Sequence, residues 1–309
     1  MATKVNVPAS AKGASRPTLD DLDLAPGKRV RLHRLLYARG AQNGTLMVLP
    51  IDQGIEHGPI DFFPNPDSAN PEYEWQLARD GGYNAIACHY NMARQYIRSY
   101  PEVPLILKLN GRSSIPPESE AFSTLTATVR DAVWLGADAI GYTLYVGSPR
   151  QDVDIQQLTQ VRDECEKHGM PLIVWSYPRG SAIDKKGGRD SLFAVDYAAR
   201  LAFEFGADIV KLNMPKHGDK DAEQPKDYAG LEWTPEQGVA RVVKSAQKSL
   251  VLFSGGSRLG DQDLLSKVQI GMEAGATGLI FGRNMWQRKL DEALAVTEKV
   301  KDILRKFPA

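Results

Sequence analysis

The sequence predicts an α/β protein, a single closed (β/α)8 barrel with an N-terminal extension and a short helix before the first strand. Three observations predict it. Eight short apolar runs recur from Thr45 onward: Leu46 to Ile51, Asn84 to His89, Leu105 to Leu109, Ala139 to Tyr145, Leu172 to Ser176, Ile209 to Leu212, Leu250 to Phe253 and Leu279 to Phe281. Each is followed by a polar loop and a helix-length amphipathic segment, the alternation that gives parallel pairing. Gly-Ala pairs at Gly136, Gly206 and Gly275 end such segments just before a strand, where a helix C-terminus favours glycine. The glycine-rich turns follow the seventh and eighth runs, and no Gly-x-Gly-x-x-Gly turn follows the first, which favours a barrel over a doubly wound open sheet.

Composition narrows the class. The chain has 309 residues, 42% hydrophobic, with 38 basic and 38 acidic side chains, enough for one large globular domain and too balanced for a polyanion-binding surface. No nucleic-acid partner is expected. No apolar run approaches the roughly 20 residues of a membrane span, and the start lacks the apolar core of a secretory signal, so no membrane association is expected. Cys88 and Cys165 form no metal spacing or paired framework, as suits a reducing, cytoplasmic setting.

In chain order, residues 1–27 read as a flexible arm and 28–309 as the barrel domain. The basic segment Gly27 to Arg39, with Val30, Leu32, Leu35 and Leu36 interleaved, reads as a helix closing one end of the core. The long connections after the first and sixth strands, Asp52 to about Pro71 and Met214 to Trp233, read as walls or lids over the active face.

Reactive groups in such a barrel stand at the C-terminal strand ends. Lys211 shares its parity with Ile209 and Asn213, so a lysine occupies an inward position where a hydrophobe is expected. Burial disfavours the ammonium form and can leave a nucleophilic amine. Trp175 and Tyr177 share the inward parity of Ile173, and Asp52 that of Val48. Tyr177 can relay protons, and Asp52 can accept one from a substrate hydroxyl. Taken singly, a core aromatic and a turn cap are the commoner roles. The turns Phe253-Ser254-Gly255-Gly256 and Phe281-Gly282-Arg283 stand where barrels build phosphate sites from backbone N–H groups, and two adjacent turns, one with an arginine, favour a phosphorylated substrate. The five histidines show no metal-binding spacing, and Glu56-His57 reads as loop structure or a substrate contact, so neither metal nor cofactor is expected.

The segments Leu49-Pro-Ile-Asp52-Gln-Gly-Ile-Glu-His57-Gly-Pro, Trp175-Ser-Tyr177-Pro-Arg, Ala207-Asp-Ile-Val-Lys211, Ser254-Gly-Gly and Gly282-Arg-Asn-Met-Trp286-Gln resemble the archaeal-type class I fructose-1,6-bisphosphate aldolases, in the same order along the chain. The resemblance implies that Lys211 forms the Schiff base, Tyr177 is the general acid/base, Asp52 assists and Trp175 walls the pocket. It implies that Ser254, Gly255, Gly256, Gly282 and Arg283 hold a phosphate, and that the protein is a metal-free homo-oligomer acting on a phosphorylated sugar. A further carboxylate is implied in the loop after Lys211, where Asp219, Asp221 and Glu223 all stand. Arg94, Lys108 and Arg179 are candidates for the second phosphate. Lys108 keeps open a sister lysine-dependent aldolase or thiolase-like enzyme. A non-covalent phosphosugar isomerase or sensor would leave the inward Trp175, Tyr177 and Lys211 without a purpose.

Overall fold

The computed structural model describes residues 16–219 and 222–309, apart from the Gln53 side chain. Eight strands, β1 (Leu46–Pro50), β2 (Ala85–His89), β3 (Leu105–Lys108), β4 (Ala139–Val146), β5 (Leu172–Pro178), β6 (Ile209–Leu212), β7 (Leu250–Ser254) and β8 (Gly278–Ile280), pair in parallel, each with its sequence neighbours. β1 pairs with β8, which closes the barrel. The expected runs and the observed strands agree to within about two residues, because strands buried on both faces read as continuous apolar segments.

Alternate residues serve two cores. Val48, Ala87, Ile106, Ile173, Ile209 and Leu252 face the axis, while Leu49, Ile86, Leu107, Val174, Val210 and Phe253 pack under the surrounding helices. The basic segment before β1 forms helix α1 (Pro26–Tyr37), started by a proline that needs no N–H partner. Its Leu32, Leu35 and Leu36 join the axial core, as does Leu19 from the segment before it, so α1 closes the N-terminal end of the barrel. Val30 does not share this face and is 70% exposed. Asn84 ties helix to barrel by accepting from Met47 N–H at 2.8 Å and donating to the carbonyls of Leu35 at 2.8 Å and Arg39 at 2.9 Å. Lys28 reaches Asp208, the residue before β6, at 2.9 Å and also pairs with Glu166. Residues 1–15 of the expected arm lie outside the described residues.

With its N-terminal end closed, the barrel opens only at the other end, where the strand ends carry their polar residues. A short antiparallel pairing of Asn110–Gly111 with Thr124–Leu125 stands there, beyond β3. No helix among the described residues is long and apolar enough to cross a membrane.

Candidate active site

The inward parity of β6 turns Lys211 toward the axis, where its side chain is all but buried, with a residue exposure of 5%. Trp175 is its register partner on β5, and the Lys211 ammonium sits 5.1 Å from the Trp175 ring centre and 5.4 Å from that of Tyr177. Trp175 is fully buried and does not line the open cavity. It is therefore a floor beneath the lysine rather than the expected wall.

Lys108, at the end of β3, lies over the same indole at 4.7 Å. It donates to Thr143 Oγ1 at 2.6 Å, and its Nζ stands 3.4 Å from Asp52 Oδ2 and 3.7 Å from Glu56 Oε1. Asp52 and Glu56 reach it together because the turn after β1 is helical, which sets residues four apart on one face. This brings Glu56 into the centre, where only loop structure or a substrate contact was expected of it. The Asp-x-x-x-Glu spacing is the signal that could have found it.

Electrostatics divides these groups by role. Desolvation lowers the Lys211 pKa to about 8, with the Lys108 charge helping and the Asp52 carboxylate opposing. Asp52 is buried too, yet the charges of Lys108 and Lys211 outweigh desolvation and hold it down at about 2. Glu56 moves the opposite way, raised by burial and by the neighbouring Asp52 charge. Tyr177 is raised well above the ordinary phenol range, first by burial and then by Asp52 and Glu56, so it is a proton donor at neutral pH. The site thus holds an amine with access to its free-base form, an ionised carboxylate and a protonated phenol within one cluster.

Above the cluster a cavity of about 390 Å³ opens between the strand ends. Asp52, Glu56, His57, Tyr177 and Lys211 line its depth. On the β7 and β8 side stand Ser254, Gly255, Gly256, Gly282 and Arg283. Asn284 joins these two turns, accepting from Leu259 N–H at 2.8 Å and donating to the Ser257 carbonyl at 3.2 Å. Gly256 takes φ +72°, which favours glycine, and a Cβ at Gly255 would lie 2.6 Å from Asn284 Nδ2. Among the described residues, no backbone carbonyl accepts from the N–H of Gly255, Gly256, Gly282 or Arg283, and the buried Arg283 Nε has no partner. Unused donors converging on a cavity suit an anion with several acceptor oxygens, as a phosphate has.

The rim beyond β5 and β6 carries Arg179, Arg189 and Lys216. Glu118 pairs with Arg189 at 2.8 Å, and Asp190 links Lys216 at 3.1 Å to Asn213 at 2.8 Å. Of the second-phosphate candidates only Arg179 lines this cavity. Lys108 is buried below it, and Arg94 lines a separate cavity with Arg34 of α1 and Asp138, near the closed end. Arg189 and Lys216 were missed because charge alone does not say which loop folds over the mouth. Neither Asp219 nor Glu223 lines the cavity, and Asp221 lies outside the described residues. Among the described residues, no group of three or more His, Cys, Asp or Glu side chains is placed to hold a metal ion.

A closed (β/α)8 barrel with a buried amine at the end of β6, and phosphate-type donors on the next two strand ends, defines a lysine-centred barrel lyase. Comparison with known proteins agrees. The profile of the DeoC/LacD family aldolases matches residues 46–288, and the chain belongs to this family. It is 40% identical to the class 1 fructose-bisphosphate aldolase of Thermoproteus tenax over 263 residues, 84% of this chain and 91% of that one. Identity with the class 1 enzyme of Halobacterium salinarum is 36%, covering 81% of this chain and 87% of the relative. An archaeal fructose-1,6-bisphosphate aldolase solved with its catalytic lysine covalently bound to the carbinolamine intermediate superposes with a TM-score of 0.74 at 38% identity, covering 87% and 99% of the two chains.

Proposed function

We propose that this chain is a class I fructose-bisphosphate aldolase, which cleaves fructose 1,6-bisphosphate reversibly into dihydroxyacetone phosphate and glyceraldehyde 3-phosphate through a Schiff base on Lys211. The observation that carries the reading is the buried Lys211 amine, lowered to about 8 and placed between Tyr177, Asp52 and a donor-lined cavity. The names of the relatives at 36–40% identity support the substrate.

In this mechanism the Lys211 amine attacks C2 of the open-chain ketose. The Tyr177 phenol protonates the carbinolamine oxygen, which leaves as water to give the iminium. Ionised Asp52 accepts the C4 hydroxyl proton; the C3–C4 electron pair flows into the iminium, and the aldehyde departs. The resulting enamine is protonated at C3 and hydrolysed, which releases dihydroxyacetone phosphate and restores the amine. Ser254, Gly255, Gly256, Gly282 and Arg283 hold the phosphate on the ketone side. Arg179, with Arg189 and Lys216 beside it, faces the phosphate of the leaving aldehyde. The same reading includes a cytoplasmic homo-oligomer; Ile60, Phe63 and Trp134, each more than 60% exposed, supply apolar surface for assembly.

The test is reduction with sodium borohydride in the presence of dihydroxyacetone phosphate, followed by intact-mass measurement, peptide mapping and a cleavage assay with EDTA. An adduct on Lys211 with EDTA-resistant cleavage is expected. An adduct without cleavage of the bisphosphate would assign another phosphorylated ketose, and no adduct would remove the covalent mechanism.

A further inference from the structure

The mechanism leaves one buried charge without a task. Lys108 is fully buried, does not line the cavity and so is not placed to touch substrate, yet it stands at the centre of the reactive cluster. Resting on the Schiff-base reading above, we propose that Lys108 is a positioning residue whose ammonium holds Asp52 as its own counter-ion, so that Asp52 does not keep a proton on Lys211.

The geometry is specific. Lys108 and Lys211 both lie against the Trp175 ring, at 4.7 and 5.1 Å from its centre, so one indole supports both cations. The Lys108 stem fits across that ring only because residue 141 is glycine: a Cβ there would lie 2.9 Å from Lys108 Cδ and 2.7 Å from Trp175 Cζ3. Thr143 fixes the ammonium from β4 at 2.6 Å, and Asp52 closes the third side at 3.4 Å. A buried carboxylate beside a single amine would form an ion pair with it, and the amine would stay protonated and unreactive. With Lys108 present, the charge of Asp52 is already answered.

The other titratable groups facing this cluster are Glu56 from the turn after β1, His89 from the end of β2, Tyr177 from β5 and Arg283 from the turn after β8. None replaces Lys108. Burial and the Lys108 charge lower His89 to about 4, so it is neutral at working pH, and Tyr177 stays protonated. Arg283 faces the phosphate end. Burial and the Asp52 charge raise Glu56, whose carboxylate stands 3.7 Å from the Lys108 ammonium and so belongs to the same counter-ion set.

The charge count gives opposite signs for two substitutions. Lys108→Met removes a positive charge from the cluster, so the proton on Lys211 is held to higher pH. Asp52→Asn removes a negative charge, so the proton leaves at lower pH. The double variant restores the original count. The test follows reductive trapping of dihydroxyacetone phosphate on Lys211 by cyanoborohydride from about pH 6 to about pH 10, reading the midpoint of adduct formation by mass rather than turnover. Expected are a midpoint raised by about 1–3 pH units in Lys108→Met, lowered in Asp52→Asn, and returned to near the wild-type value in the double variant. Loss of adduct amplitude at an unmoved midpoint in the single variants would overturn the proposal and leave Lys108 a packing element. If Lys108→Met fails to fold, Asp52→Asn and the double variant still decide, because both buried partners are then replaced together and no lone charge is left. A wild-type protein that forms no adduct would overturn the Schiff-base reading itself, an outcome distinct from an unmoved midpoint.

Discussion

At the scale of one residue, Lys211 works against the stability of the fold it sits in. Its pKa of about 8 in the folded protein against about 10.5 in the unfolded chain means that burial penalises the ammonium. Below pH 8 both states bind the proton and the full penalty, about 3 kcal/mol, is present; it shrinks as pH rises toward 10.5. Lys211→Met is therefore expected to abolish cleavage and to raise the midpoint of denaturant unfolding at pH 7, with the gain fading above pH 8; an unchanged or lower midpoint at pH 7 would refute the burial argument. The same titration sets an acid limb on kcat/KM, which should rise about tenfold per pH unit up to about pH 8. Tyr177→Phe should slow iminium formation, and with it both reductive trapping on Lys211 and cleavage, by about 10²- to 10⁴-fold, and undiminished cleavage in that variant would remove the phenol from the proton path. Lys211 was legible in the sequence because a lysine at inward parity breaks an apolar pattern. Glu56 was not, since its four-residue spacing from Asp52 joins the two carboxylates only when the loop between them is helical, and Arg94 misled because charge does not tell which end of a barrel a residue faces.

Elements were read more securely than residues. Parallel strands covered on both faces need unbroken apolar runs, and all eight appear as such in the sequence. The hairpin of Asn110–Gly111 with Thr124–Leu125 escaped notice because two-residue strands carry no periodicity. There Asn110 accepts from Thr143 N–H at 2.7 Å and donates to the Thr143 carbonyl at 2.8 Å, so it braces β4, whose Thr143 hydroxyl accepts from Lys108. Helix α1 was expected at one end of the core, and its apolar face is that closure. Leu35 is fully buried beneath the axial layers, so Leu35→Ala is expected to cost about 2–5 kcal/mol of unfolding free energy, read as a lower denaturant midpoint. The acid limb of kcat/KM should not move, because α1 lies at the opposite end from Lys211. A shifted limb would mean that the plug, and not the strand ends alone, sets the electrostatics of the site.

For the whole molecule, closure of the barrel matters because it sets two phosphate-sized clusters of donors on either side of one amine. Among the described residues, the backbone N–H groups of the Arg283 side have no carbonyl partner and a buried guanidinium nitrogen there has none either, whereas the Arg189 side is already engaged by Glu118. Anions should therefore bind the glycine turns first, and since a ligand that binds only the folded state stabilises it by RT ln(1 + [L]/Kd), inorganic phosphate should raise the unfolding midpoint in a saturable manner. Lys211→Met should keep this phosphate response, because the covalent step plays no part in it. Arg283→Ala should lose most of it and should raise KM for the bisphosphate more than it lowers kcat, as befits a group that holds substrate and transition state alike. Arg179→Ala should leave the phosphate response nearly intact while raising KM for the bisphosphate. If phosphate stabilised the Arg283 variant as fully as the wild-type protein, the anion would have to sit elsewhere, and the direction in which the ketose lies across Lys211 would have to be reversed.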